Sequence, residues 1–320
     1  MIVSEMSSSL CELAPGRAMC ATGVAMGHAG EYLQGVIEDG GERHSVLITI
    51  PTPELGSRVH FGPAIGGGLE SDPSWKRKSR RAFELAWKSL CDSPPAGCLR
   101  IDSDLPVSRG MGSSTADCVA AIRAAAHSLG RSLRENLVAR LAHTAERSSD
   151  ATMYGSRLMV FRHREGRVHR KLPGVTPPFD LVIVESAQGA HPVDTDRMPR
   201  PDYTRAEIAE FSQLLMRFNA AAGRSDLAEI GTIAERSADI NQRYHPLPGL
   251  LETRAIARAF GALGTAIAHS GDIQVLLFAP NILNAGVQHD LQRELARAGI
   301  AVWRAFTRRE RLLKSADACL

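Results

Sequence analysis

Apolar positions along the chain come in two kinds of run, short ones rich in β-compatible residues and longer ones with partial helical spacing. Residues 18–25 and 45–50 read as strands, separated by a loop at 27–35 and a turn at Glu38-Asp39-Gly40-Gly41, and 58–61 extends the sheet. Gly66-Gly67-Gly68 and Asp72-Pro73 mark a further loop. A helix is predicted over 75–90, with Trp75, Phe83, Leu85, Trp87 and Leu90 on its apolar face and Asp92-Ser93-Pro94-Pro95 as its stop. A strand at 98–101 precedes helices at 113–129 and 133–145, parted by Gly130, which suits the position just past a helix end. A hairpin over 158–161 and 168–172 turns at Glu165-Gly166, and the prolines of 173–178 mark the crossing into a second domain. There a strand at 179–185, a long polar loop, helices at 205–222, 225–241 and 250–259, strands at 262–268 and 273–278, a helix at 285–298 and a strand at 300–306 complete the chain. Their order is β-α-β-β-α-β with inserted helices, a split βαβ arrangement.

The 320 residues suffice for two domains, and a composition of 44% hydrophobic and 23% charged residues is that of a soluble globular protein. No apolar run approaches the roughly 18 residues that a membrane helix needs, and the first ten residues carry no basic-then-apolar signal, so a cytoplasmic protein with a frayed N-terminal extension is expected. A net charge of +3, from 38 basic and 35 acidic side chains, recommends neither nucleic acid nor a membrane surface as partner. The basic run 76–81 reads as a solvated helix face. Six cysteines without a CxxC pair imply reduced thiols, and eleven histidines without ligand spacing argue against a dedicated transition-metal site.

The stretch Leu105-Pro-Val-Ser-Arg-Gly-Met-Gly-Ser-Ser-Thr-Ala-Asp117 adds chemistry. Gly110 and Gly112 let the backbone approach a ligand, and the free N–H groups and dipole of the following helix favour a polyphosphate. An ordinary helix cap is the other reading, since Ser114 with Asp117 three residues on matches a capping box.

Pro106-x-x-x-Gly110-Met111-Gly112-Ser113-Ser114-Thr115-Ala116 resembles the phosphate-binding signature of the GHMP kinases, the family of galactokinase, homoserine kinase and mevalonate kinase. Pro15-Gly16-Arg17 with Gly30-Glu31 resembles its N-terminal motif, and Gly261-Ala-Leu-Gly264 through Ser270-Gly271 its C-terminal glycine motif. Within the family the chain is most similar to the L-threonine kinases of cobalamin side-chain synthesis, through Gly30-Glu-x-x-Gln-Gly35, Gly110-Met-x-Ser-Ser-Thr-Ala-Asp117, Asn241-Gln-Arg243 and Ala268-His-Ser-Gly271.

The resemblance implies a two-domain α+β fold, a left-handed βαβ nucleotide-binding domain over 14–175 and a ferredoxin-like substrate domain over 176–320. It implies ATP and Mg²⁺ as cofactors and a small-molecule hydroxyl as acceptor, with L-threonine first. Homoserine or another hydroxylated metabolite, and a nucleotide-binding regulator without catalysis, are the alternatives. Oligomeric state is open, a homodimer included. By position, Pro106, Gly110, Met111, Gly112, Ser113, Ser114 and Thr115 would hold the nucleotide. Ser114 and Glu146 would hold the metal, although Glu146 stands only four residues before Asp150 where many relatives leave about a dozen. Asp150 would accept or orient the acceptor proton. His28, Glu31, Gln34, Asp194, His269 and Ser270 are the substrate-binding candidates, and Arg17 and Arg109 are placed to meet phosphate or carboxylate.

Overall fold

Alternating apolar residues carry β1 (Ala21–Asp39) and β2 (Glu42–Pro63) much further than expected, as antiparallel strands of 19 and 22 residues turning at Gly40-Gly41. The computed structural model describes residues 18–65, 67–185 and 199–307. Residues 27–35, expected as a loop, lie inside β1. Pairing with β2 shifts register at Met26/Gly27, His28/Glu31 and Glu31/Leu33, and bulges use the same glycine and polar residues that mark turns, which is why the pattern misled.

A βαβ unit follows, β3 (Leu69–Asp72), α1 (Arg77–Lys88) and β4 (Gly97–Ser103), with β3 parallel to β4. The four residues of β3 stand where a loop was expected, because flanking glycines and proline obscured so short a strand. Next come α2 (Ser113–Ser128), α3 (Glu135–Glu146), a 3-10 turn (Ala151–Tyr154) and the hairpin β5 (Arg157–Arg162) and β6 (Arg167–Val175). The remainder is β7 (Asp180–Glu185), α4 (Arg205–Arg224), α5 (Leu227–Asn241), α6 (Leu250–Ala259), β8 (Ala262–Ile267), β9 (Ile273–Phe278), α7 (Ala285–Arg297) and β10 (Val302–Phe306). No helix among the described residues is long and apolar enough to cross a membrane.

The strands form one sheet in the order β10-β7-β9-β8-β1-β2-β4-β3, with the β5–β6 hairpin branching from β2. Its β10-β7-β9-β8 part is antiparallel and, counted along the chain, has the order 4-1-3-2 of a split βαβ fold. A single residue pair, Glu31 with Ile267, joins this part to β1. α2 is buried on nearly every side, so its alanine-rich sequence shows little amphipathic contrast.

Arg77, Lys78 and Arg81 of the basic run are exposed as expected, but two charged residues depart from expectation for one reason. Lys76, at the head of the basic run, is buried and ion-pairs with Asp117 of α2, which also accepts from Ser57 Oγ at 2.6 Å. A buried carboxylate needs such partners. Asp117 therefore cannot close a capping box with Ser114. α2 starts instead at Gly112, in the left-handed region, with no side chain capping it.

Candidate active site

The helix start places the site. Gly110 (φ 85°) and Gly112 (φ 67°) turn the chain into α2, and its first N–H groups lack side-chain acceptors, which suits an anion. The two glycines are also forced by neighbours. A Cβ on Gly110 would lie 1.8 Å from the Ser270 carbonyl oxygen, and one on Gly112 would lie 2.3 Å from His28 Cδ2 and 3.2 Å from Asp150 Oδ2. Thus the His28 segment of β1, the glycine loop and the loop between β8 and β9 touch directly. Gly271 meets the loop from the other side, since its Cβ would fall 2.2 Å from the Arg109 carbonyl, whereas Gly264 serves close packing of β8 on Gly231 of α5.

Arg109 is paired with protein carboxylates. Its guanidinium ion-pairs with Glu185 at 2.5 Å and Asp272 at 2.6 Å, tying the glycine loop to the end of β7 and to the β8–β9 loop. Asp194 and Arg17 lie outside the described residues.

Glu146 ends α3, and Arg147 beyond it adopts a left-handed conformation that reverses the chain at once. That reversal brings both Glu146 and Asp150 to the start of α2 despite their four-residue spacing. Ser114 Oγ donates to Glu146 Oε2 at 2.7 Å and Thr115 Oγ1 to Oε1 at 2.8 Å, while Thr115 Oγ1 accepts from the Asp150 amide at 3.3 Å. Burial pushes the Glu146 carboxyl up to about 8, and the nearby Asp150 charge adds to this against the two hydroxyl bonds.

Asp150 behaves oppositely. Burial would raise it, but the charge and hydrogen bond of His28, with His269 behind, hold it well below the usual carboxylate range. His28 Nε2 lies 3.0 Å from Asp150 Oδ2, and its Nδ1 accepts from the Gly30 amide at 3.1 Å, which fixes the proton on Nε2 facing the aspartate. Burial disfavours a charged His28, yet the Asp150 charge and bond, helped by Glu31, outweigh it and raise its pKa to about 9. The Gly30 N–H aimed at Nδ1 opposes that second proton.

Beside this cluster is a small cavity lined by Gln34, His163, Arg164, Tyr203, Asn241, His245 and His269, among others. Gln34 is held by its backbone, its N–H donating to Ser237 Oγ at 3.0 Å and its carbonyl accepting from Asn241 Nδ2 at 3.0 Å. Tyr203 OH donates to Asn241 Oδ1 at 2.7 Å. The His163 and His269 rings meet edge to face at 5.3 Å, and His269 Nδ1 is 3.9 Å from Asp150 Oδ1. Burial, then His269 and Arg164, drive the His163 pKa far down, so this imidazole is neutral. Arg164 has no hydrogen bond or ion pair to any described residue. Pro106 sits half-buried in the loop, Met111 accepts from the His28 amide at 3.2 Å, and Ser270 is buried beside Gly110.

Sequence reasoning therefore named the loop, Glu146, and His28 and Asp150 separately, but missed the pairing of the last two and did not name His163, Arg164, Tyr203 or His245. His163 and Arg164 belong to the β5–β6 turn, read only as a connection. Their one local signal is a histidine and an arginine placed between apolar β5 and Glu165-Gly166.

Residues 79–156 match the family model for the GHMP kinases N terminal domain. A homoserine kinase structure from Cytophaga hutchinsonii superposes with a TM-score of 0.65 at 16% identity, covering 96% of this chain and 97% of that one. The chain has the GHMP kinase fold. Among relatives, the L-threonine kinase of Salmonella typhimurium is 32% identical over 181 residues, covering 56% of this chain and 59% of the relative, so less than two thirds of that protein is matched. The homoserine kinase of Deinococcus radiodurans is 28% identical over 237 residues, covering 69% and 73%. Within the GHMP fold, the matched N-terminal segment runs from α1 to the 3-10 turn, and so contains the glycine loop, Glu146 and Asp150.

Proposed function

We propose that this chain is an ATP- and Mg²⁺-dependent kinase that phosphorylates the hydroxyl of L-threonine to give O-phospho-L-threonine. The observation that carries the reading is an anionic aspartate against the glycine loop, next to a cavity whose arginine has no protein partner among the described residues. In this reading the uncapped N–H groups of Ser113, Ser114 and Thr115 receive the nucleotide's phosphates. Arg164 receives the acceptor's carboxylate, and His163 and Asn241 offer hydrogen bonds to its remaining polar groups. Asp150, already ionised, takes the hydroxyl proton or orients the oxygen for attack, while positioning supplies most of the acceleration.

Ser114 Oγ and Glu146 are oxygen donors 2.7 Å apart at the phosphate end of the cluster, a set that fits Mg²⁺, which prefers one or two protein oxygens. When bound, the cation neutralises charge on the phosphates being transferred. An ion there also supplies the positive charge that keeps the buried Glu146 ionised.

A coupled ADP-release assay across L-threonine, L-serine, L-homoserine and mevalonate tests the proposal. Threonine is expected to give the highest kcat/KM, and a serine rate equal to it would remove the threonine assignment. Homoserine is the second reading, favoured by the longer alignment with the Deinococcus enzyme. ATP binding without transfer to any acceptor would leave a regulator. Replacement of Arg164 by methionine is expected to raise the acceptor KM by about 10–100-fold through loss of a charge-assisted contact, with the KM for ATP unchanged. Initial-rate kinetics with each substrate varied in turn measure this.

A further inference from the structure

Glu31 is fully buried, and among the described residues no lysine or arginine reaches it. Its partners are two imidazoles. Oε1 lies 3.2 Å from His269 Nδ1 and 3.7 Å from His28 Nδ1, and Oε2 accepts the His269 backbone N–H at 2.8 Å. Asp150 approaches the same rings, 3.0 Å from His28 at Nε2, opposite Glu31, and 3.9 Å from His269 at the Nδ1 that Glu31 also faces. Carboxylate and imidazole therefore alternate around a closed ring of four side chains, drawn from β1, the segment after α3 and the β8–β9 loop. His163 borders it at His269, and Thr115 at Asp150.

Backbone geometry makes the ring. Residues three apart on a strand ordinarily point to opposite faces. Between His28 and Glu31 the register shifts, with Gly30 at φ 85°, so both side chains reach the same centre. Gly30 also lies against β8, since a Cβ there would come within 2.8 Å of the Ile267 carbonyl. The one residue pair joining β1 to β8 is Glu31 with Ile267, two positions before His269.

We propose that Glu31 is a positioning residue for phosphoryl transfer, holding His269 by its ring and backbone N–H groups and placing its charge beside His28, so that the two rings aim the Asp150 carboxylate, and that it is not a ligand of the acceptor. The inference rests on Asp150 being the group that meets the acceptor hydroxyl. It distinguishes Glu31 from an ammonium-binding carboxylate, which would act on acceptor affinity alone.

The test is Glu31→Gln, a near-isosteric change, measured alone and in the Asp150→Asn background. Glu31→Gln alone is expected to lower kcat by about tenfold or more, with acceptor KM changed by less than about threefold. In the Asp150→Asn background the same change should cost less than about twofold, since both act through one group. A raised acceptor KM with kcat retained overturns the proposal in favour of substrate binding. Equal losses in both backgrounds overturn it in favour of general structural support. If the wild-type protein transfers phosphate to no acceptor, the kinase reading fails by itself. The ring is then judged by ¹⁵N-histidine NMR, where Glu31→Gln must move the ring-nitrogen signals of both His28 and His269, and an unmoved His28 overturns it.

Discussion

Asp150→Asn is expected to lower kcat by about 10²–10⁴-fold while leaving ATP affinity nearly unchanged, the range typical of a lost general base. The Asp150 backbone amide is fixed by Thr115, one carboxylate oxygen is fixed by His28, and His28 with His269 keeps the carboxyl ionised against its own burial. Asparagine preserves the size of the group and removes its charge and proton affinity. In the proposed arrangement the nucleotide meets the start of α2 instead, so ATP binding by calorimetry should survive. Turnover that also survived would exclude a protein base. Transfer would then proceed through a loose transition state needing little proton removal beforehand.

The second large effect is expected at Gly110. An alanine there meets two independent obstacles, a left-handed backbone at φ 85° and the Ser270 carbonyl only 1.8 Å from the new Cβ. Backbone strain of about 1–3 kcal/mol adds to an overpacking cost of about 1–3 kcal/mol, so urea unfolding should show at least about 2 kcal/mol of destabilisation. Turnover should fall as well, because moving Ser270 displaces neighbouring His269. Gly40→Ala is the comparator, since Gly40 has a similar backbone (φ 59°) but open space around it. If the two variants unfold alike, the close approach of the glycine loop to the β8–β9 loop contributes nothing.

How far the sequence reveals this protein depends on whether a feature is local. The glycine loop and the helix after it were legible because glycine placement and helix starts are fixed by a few adjacent residues, and α2 begins at the expected Ser113. The split βαβ order was legible because each of its strands and helices has its own apolar run. Bulged β1 was not, since a strand that shifts register three times loses the alternation by which strands are recognised. Lys76 and Asp117 were misread because their partnership spans 41 residues, and a basic run looks alike whether or not its first member turns inward. His163 and Arg164 acquire their setting only when a hairpin tip folds onto Ser148 and Ser149, which nothing in the tip encodes. The Glu146–Asp150 spacing, at odds with the family pattern, became intelligible through one left-handed residue, Arg147.

The contacts that complete β1 reach far along the chain: Gln34 bonds Ser237 across 203 residues, and Glu31 bonds the His269 backbone across 238. Pairings so distant in sequence carry a large loop-closure cost and form late. As the protein is synthesised, the glycine loop, Glu146 and Asp150 are all made before residue 151, yet the partners of Glu31 are not complete until the ribosome has passed residue 269. A nascent chain thus holds the glycine-loop half of its candidate site long before it can hold the rest. For most of its synthesis it carries buried-type acids and histidines still exposed to water, and the last third of the chain closes the centre.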